Sequence, residues 1–146
     1  MYTSLGSYPD ADFFAIVGGA SARLGGDIDS SVRWFGRQAL PLLAREYPGF
    51  FTPHTSTRPF LLTLNDVIHP EVRKVYPGAD LPVFDFELLG EDGLRMGYAS
   101  PRRLCSLAEG FIEAAAVHFG QTAQIEQTAC MKHGASRCQI VVTLSP

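Results

Sequence analysis

Charge is sparse in this sequence and neither sign dominates. Lys and Arg number 12 against 15 Asp and Glu, charged residues make up 18% of the chain, and the net charge is -3. No basic stripe is present to neutralise a phosphate backbone, so nucleic acid is not an expected partner. Long apolar runs are also missing. The stretch from Phe13 to Ala20 contains two glycines, is far shorter than a membrane span and follows no basic segment. The chain therefore reads as cytoplasmic, with no membrane association. Cysteine is rare and odd in number, three in all, which suits reduced thiols, metal ligands or redox sensors better than a disulfide framework. There is no repeat, low-complexity tract or long linker, and 146 residues correspond to a single domain over 1–146. What the chain does have is an aromatic interior: 10 Phe, 5 Tyr and 46% hydrophobic residues suffice for an ordinary core.

The first half has helical periodicity. Phe13, Phe14, Ile16, Val17 and Ala20 predict a helix over Asp10 to Leu24, stopped by Gly25 and Gly26. A second helix is expected to be capped by Asp29 or Ser30 and to run through Val32, Phe35, Leu40 and Leu43 to about Arg45, with a bend at Pro41. After a Pro- and Gly-bearing loop over 46–55, Ser56 or Thr57 caps a third helix through Phe60, Leu61, Leu64 and Ile68. Pro70 denies the Asp66 carbonyl a hydrogen bond and disfavours helical geometry at His69, so the backbone there is expected to be kinked or stretched.

The second half switches to period two. Val83 to Leu89 and Leu94 to Ser100 form an antiparallel hairpin around Gly90 to Gly93. Leu104 to Phe119 then reads as a helix closed by Gly120, and strands over 123–131 and 137–144 flank a turn at Gly134. Amino-terminal helices, a hairpin, one helix and a second hairpin make an α+β fold, with an antiparallel sheet of about four strands covered on one face.

Two patterns bear on chemistry. Tyr98, Ser100 and Arg102 alternate along an extended segment and project to one face, where a guanidinium fork and two hydroxyls suit a ligand with two carboxylates. An ordinary outward strand face remains the alternative. His69 sits among apolar positions, as a core histidine or as a metal ligand in a dry pocket. His54, His118 and His133 show no paired spacing, which argues against a three-histidine zinc centre. A haem asks less of the protein: one axial histidine, an apolar slot and clamps for two propionates.

His69, the segment Tyr-Pro-Gly-Ala-Asp-Leu-Pro-Val-Phe from Tyr76 to Phe84, and Tyr98-x-Ser100-x-Arg102 resemble the haem nitric oxide/oxygen binding (H-NOX) family, which includes the sensor domain of soluble guanylate cyclase. The likeness extends from Tyr8-Pro9-Asp10 through Phe35-Gly36-Arg37 and Tyr47-Pro48 to the Cys130 to Cys138 hairpin. The resemblance implies a haem b cofactor with His69 as the proximal iron ligand. It further implies that Tyr98, Ser100 and Arg102 hold the propionates and that Pro82 presses on the porphyrin. It implies nitric oxide and CO as ligands, release of the histidine on nitric oxide binding, and readout by a signalling partner such as a histidine kinase or a diguanylate cyclase. Oxygen-binding members place a tyrosine where Leu107 stands here. The distal lining of Leu40, Leu43 and Leu107 is thus expected to take nitric oxide and CO without forming a stable oxy complex.

Some bacterial members bind zinc through three cysteines and a histidine, which implies Cys105, Cys130 and Cys138 here. Gln127 occupies the histidine's place and His133 is a substitute, while small packed thiols are the plain alternative. The match begins after the family's first helices, which wall the distal face of the haem. Three readings stay open: an open but competent pocket, a wall supplied by a second protomer in a homodimer, or a haem-free relic serving as a small-ligand module or a zinc/thiol redox switch. An enzyme is not expected. No nucleophile motif surrounds the cysteines, and Ser4, Ser7 and Ser106 lack a G-x-S-x-G setting. Trp34, Phe50 and Phe51 read as core or loop-anchoring aromatics. Arg23, Arg37 and Arg45 read as a solvated face, and Glu109 with Glu113 as exposed carboxylates on one helix face.

Overall fold

A computed structural model describes Thr3 and residues 6–146; Ser4 lies outside the described residues. Helix α1 spans Asp10–Leu24, with Asp10 and Asp12 in its first turn and Arg23 in its last, matching the macrodipole at both ends. Gly25 closes it at φ 72°, a left-handed conformation that glycine adopts without a Cβ penalty. Helix α2 spans Ile28–Glu46 and runs on through Pro41. Its cap is Asp27, ahead of the expected Asp29 or Ser30: one Asp27 carboxylate oxygen accepts the Ser30 N–H at 2.8 Å and the other accepts the Ser30 hydroxyl at 2.6 Å. No helix among the described residues is long and apolar enough to cross a membrane.

The expected third helix is broken into pieces. Helix α3 covers only Thr57–Leu61, a π-helical turn follows over Leu64–Ile68, and helix α4 runs His69–Val75. The anticipated distortion does occur, but it lies in the turn before the histidine. His69 itself is helical at φ -64° and ψ -40°. Pro70 lacks an N–H, and its ring would meet the carbonyl one turn back. A wider turn upstream gives that ring room and lets α4 restart with proline in its first turn, where no N–H is required.

Strands β1 (Val83–Leu89), β2 (Gly93–Ala99), β3 (Thr122–Ala129) and β4 (Cys138–Ser145) form one antiparallel sheet in the order β1-β2-β4-β3. Helix α5 (Cys105–His118) lies between the two hairpins in sequence. The register aligns Phe84, Tyr98 and Cys138 in one row, and Phe86, Met96, Ile140 and Gln127 in the next. A third row holds Leu88, Leu94, Val142 and Ile125. Leu94, Met96, Ile140 and Val142 are fully buried in the same core cluster as Ile112, Ala115 and Ala116 of α5. Each large aliphatic side chain so enclosed stabilises the fold by about 1.5–3 kcal/mol. The other sheet face is polar, with Arg95 paired to Glu87 and Arg137 to Asp85.

Helices α2 and α5 pack against each other more extensively than any other helix pair. They cross at two glycines. A Cβ on Gly36 would lie 2.7 Å from the Leu107 carbonyl, and one on Gly110 would collide with the Arg33 carbonyl. Ion pairs flank the crossing. Arg33 reaches Glu109 at 3.0 Å and Glu113 at 2.6 Å, and Arg37 reaches Glu113 at 3.2 Å. This corrects two expectations: Glu109 is buried rather than exposed, and Arg37 has a defined partner. Burial raises the Glu109 pKa, with Arg33 pulling the other way. Trp34 is a third correction, since it lies exposed on α2, whereas Phe51 is buried and stacks on Phe60.

Candidate functional site

His69 is held at the junction of the π turn and α4 by backbone geometry. Its N–H bonds to the Leu64 carbonyl, the five-residue step that defines the wider turn. The residue is 8% exposed. Burial, followed by the charge of Arg73, lowers its pKa, while a hydrogen bond with the Pro82 backbone opposes the shift. A neutral imidazole is the form that offers a lone pair to a metal. The His69 ring lies 6.0 Å from that of Phe84, and Phe84 lies 5.8 Å from Tyr98 in an edge-on arrangement. The histidine and the tyrosine are therefore linked through one strand residue, Phe84, whose register partner is Tyr98.

The Tyr98, Ser100 and Arg102 segment has a different shape from the one spacing suggests. Strand β2 ends at Ala99, so Arg102 lies in a turn rather than on the extended face. Tyr98 is 2% exposed and its hydroxyl accepts the Leu104 N–H at 2.8 Å. Burial raises the phenol pKa, while Ser100 and Leu104 hydrogen bonds oppose that, so the group stays a protonated donor at neutral pH. Ser100 is buried and its hydroxyl accepts the Arg102 N–H at 3.2 Å. The Arg102 guanidinium grips Asp10 at the start of α1, through Nε at 3.0 and 2.9 Å and Nη2 at 2.6 Å. Asp10 had no assigned role in the sequence reading. The pair is 92 positions apart, and its only signal was the Tyr8-Pro9-Asp10 triplet.

The three leucines are distributed unevenly. Leu40 is buried in the main core cluster, and Leu43 is 42% exposed on α2. Leu107 is half-buried against a second cluster of Val17, Val32 and Leu104, beside Phe13 and Phe14. Asn65 also went unnoticed in the sequence. It lies in the π turn, and its side chain bonds both backbone groups of Phe84, donating to the carbonyl at 2.6 Å and accepting the N–H at 3.2 Å.

Comparison with known proteins supplies a family. The haem-NO-binding family profile matches residues 1–127. The chain belongs to the haem-NO-binding family. It is similar to an H-NOX protein from S. oneidensis in the Fe(II)NO ligation state, with 34% identity and a TM-score of 0.94 over 100% of this chain and 81% of that one. It is also similar to the H-NOX domain from Shewanella oneidensis in the Fe(II)CO ligation state, at 35% identity and a TM-score of 0.90 over 99% of this chain and 80% of that one. The unliganded Fe(II) H-NOX protein from K. algicida matches at 25% identity and a TM-score of 0.91, over 100% of this chain and 78% of that one. No curated protein matches the chain.

The residues present suit what a haem-NO-binding domain must hold. A neutral buried imidazole is a competent iron ligand, and the Arg102 fork already grips a carboxylate, the group that a haem propionate would present. A second group of ligand atoms lies at the start of α5. The sulfurs of Cys105, Cys130 and Cys138 fall within 4.8 Å of one another, all buried. Cys105 and Cys138 each approach Cys130 at 3.9 Å. Burial pushes the Cys138 thiol up to about 12, against a hydrogen bond from the Met131 N–H. Three such thiols can supply three corners of a tetrahedral site for a thiophilic ion. His133 is exposed, and no fourth ligating residue joins the thiols among the described residues. Gln127 has a buried amide nitrogen without a hydrogen-bond partner. Cys130 and Cys138 lie beyond the part of the chain that the family profile matches.

Proposed function

We propose that this chain is a haem-based nitric oxide sensor domain that acts on a partner protein through release of His69 and has no catalysis of its own. The observation that carries the reading is the placement of His69: neutral, buried and carried by a distorted turn, next to the row that leads to Tyr98. Haem, when bound, supplies the iron at which nitric oxide and CO coordinate. His69 would hold that iron. Arg102, Tyr98 and Ser100 hold the propionates, with Asp10 either sharing the Arg102 fork or yielding it. Pro82 would lie against the porphyrin, and Leu40, Leu43 and Leu107 would line the pocket without a hydrogen-bond donor. The absence of a donor favours nitric oxide and CO over dioxygen. His69, once released, is free to carry the π turn and α4 away from their docked position. Pro70 eases that displacement because its ring already interrupts the helical ladder. The partner reading this change is a signalling protein of the histidine kinase or diguanylate cyclase kind, in the cytoplasm.

The test is an absorption spectrum after haem reconstitution, ferrous and then with nitric oxide, on the wild type and His69→Ala. A Soret band that requires His69 and that nitric oxide shifts to a spectrum lacking the histidine ligand supports the reading. A colourless protein, or a band indifferent to His69, ends it. In air the ferrous protein is expected to show no persistent oxy spectrum. The three thiols are proposed to hold zinc, and one equivalent of zinc in protein purified without chelator, lost in Cys138→Ser, is the expected result. An absence of zinc in the wild type would leave them as packed thiols.

A further inference from the structure

We infer that Asn65 is a positioning residue that couples the turn carrying His69 to strand β1, so that displacement of the histidine pulls on the start of that strand. The static coupling stands on the geometry alone, and its consequence for sensing rests on the reading proposed above. Strand β1 is at the edge of the sheet, where outward-facing backbone groups have no ladder partner. The Asn65 amide supplies one, with a donor for the Phe84 carbonyl at 2.6 Å and an acceptor for its N–H at 3.2 Å. An amide does for Phe84 what a neighbouring strand would do.

Two further contacts join the same segments. The His69 ring packs on the Phe84 ring at 6.0 Å, and His69 is hydrogen-bonded to the backbone of Pro82, two residues before Phe84. The segment from Asn65 to His69 thus holds the segment from Pro82 to Phe84 at both its ends. Asn65 sits in the wide turn, where the Ile68 N–H reaches back to the Thr63 carbonyl at 3.0 Å and the His69 N–H to Leu64. A turn with this looser ladder is the part of the helix most able to change shape, and Asn65 is bolted to the sheet from within it. Phe84 in turn touches Tyr98, so a pull on β1 also reaches the residue assigned to the propionates. The chemistry is specific to an amide. An aspartate would keep the acceptor but set a carboxylate against the Phe84 carbonyl, and an alanine would leave both part-buried backbone groups without their partner.

Amide hydrogen exchange on the wild type, Asn65→Ala and Asn65→Asp, with and without haem, tests this. In haem-free Asn65→Ala, exchange at Phe84 should rise by about tenfold, the scale of one lost hydrogen bond. The His69 amide should accelerate with it, while Asn65→Asp protects Phe84 to an intermediate degree. Acceleration at Phe84 alone would overturn the coupling. In haem-loaded wild type, nitric oxide should loosen both α4 and Phe84. In Asn65→Ala it should loosen α4 only, and the iron–histidine stretching band of the ferrous form should shift. A Phe84 response equal in variant and wild type would overturn the transmission, as would none in a wild type that releases His69. If no haem is retained, the sensor reading fails, while the haem-free exchange still decides the coupling.

Discussion

Ile112 on α5 is 2% exposed and Ile16 on α1 is 60% exposed, although both are isoleucines on helices of one small domain. The contrast holds for the regions around them. The sheet and α5 close over rows of aliphatic side chains, whereas α1 and α2 leave Ile16, Leu24, Ile28, Phe35 and Leu42 exposed. The two regions meet along the α2 and α5 crossing at Gly36 and Gly110, through Leu40 in the main core and Val17 and Val32 against Leu104, and through the ion pairs of Arg33, Arg37 and Lys132 and of Arg102 with Asp10. A well-packed body thus carries a helical layer whose apolar surface is only partly used. Side chains assigned to the site come from both, with His69, Tyr98 and Ser100 near the sheet and Leu40 and Leu43 on α2. Movement of one region against the other would change the spacing between those two sets.

The matched pair of isoleucines gives the largest expected difference. Ile112→Ala should cost about 2–5 kcal/mol in denaturant unfolding, because it removes transfer energy and leaves a cavity. Ile16→Ala should cost less than about 0.5 kcal/mol. A comparable loss at Ile16 would break the comparison by showing that this face is covered in solution. Gly110→Ala comes next, at about 1–3 kcal/mol, since the new methyl must displace α2 at the Arg33 carbonyl. An unchanged unfolding midpoint would mean that the two helices separate freely. Asp10→Asn removes the carboxylate charge from the Arg102 fork, whose members are 33% and 41% exposed. Its effect on stability should be below about 1 kcal/mol, with haem affinity as the sharper readout because the fork is freed.

The smallest effect concerns pH. Burial holds the Glu109 pKa above its ordinary value. The folded state therefore binds this proton more tightly than the unfolded chain does, and the associated stability is lost as pH rises through the folded value. Wild type should gain stability relative to Glu109→Gln as pH falls from 7 toward the ordinary carboxylate range. A difference that is flat with pH would show that the Arg33 pairing cancels burial there, and a slope of opposite sign that it outweighs burial.

Much of the fold was legible locally. The period-two strands, the glycine-closed α1 and the long apolar face of α5 each follow from residues within a few positions of one another. The cap of α2 falls at Asp27, just ahead of the expected Asp29 or Ser30, because polar residues crowd this stretch and only the hydrogen bonds choose among them. The distortion near His69 was readable from Pro70, but its position was not, since a helix can relieve a proline before, at or after it. Trp34, Arg37 and Glu109 depart from expectation for a common reason. Periodicity gives the angular position of a side chain around its helix and does not say which neighbour will occupy that side.

The sequence by itself determined the order of the main elements, the spans of the strands and a family resemblance anchored on His69, Tyr98, Ser100 and Arg102. Hydrophobic period and turn chemistry act over a few residues and are written in the chain. Only the tertiary structure decided that Arg102 turns to Asp10, that Asn65 grips Phe84 and that the three cysteines already grouped by the resemblance bring their sulfurs within 4.8 Å of one another. The first two contacts join residues 92 and 19 positions apart, and the Cys105 and Cys130 sulfurs are separated by 25. Neither partner in such a pair imposes a pattern on its own neighbourhood. The contact exists because the packed sheet and α5 place both ends at one point, and no local preference records where that point will be.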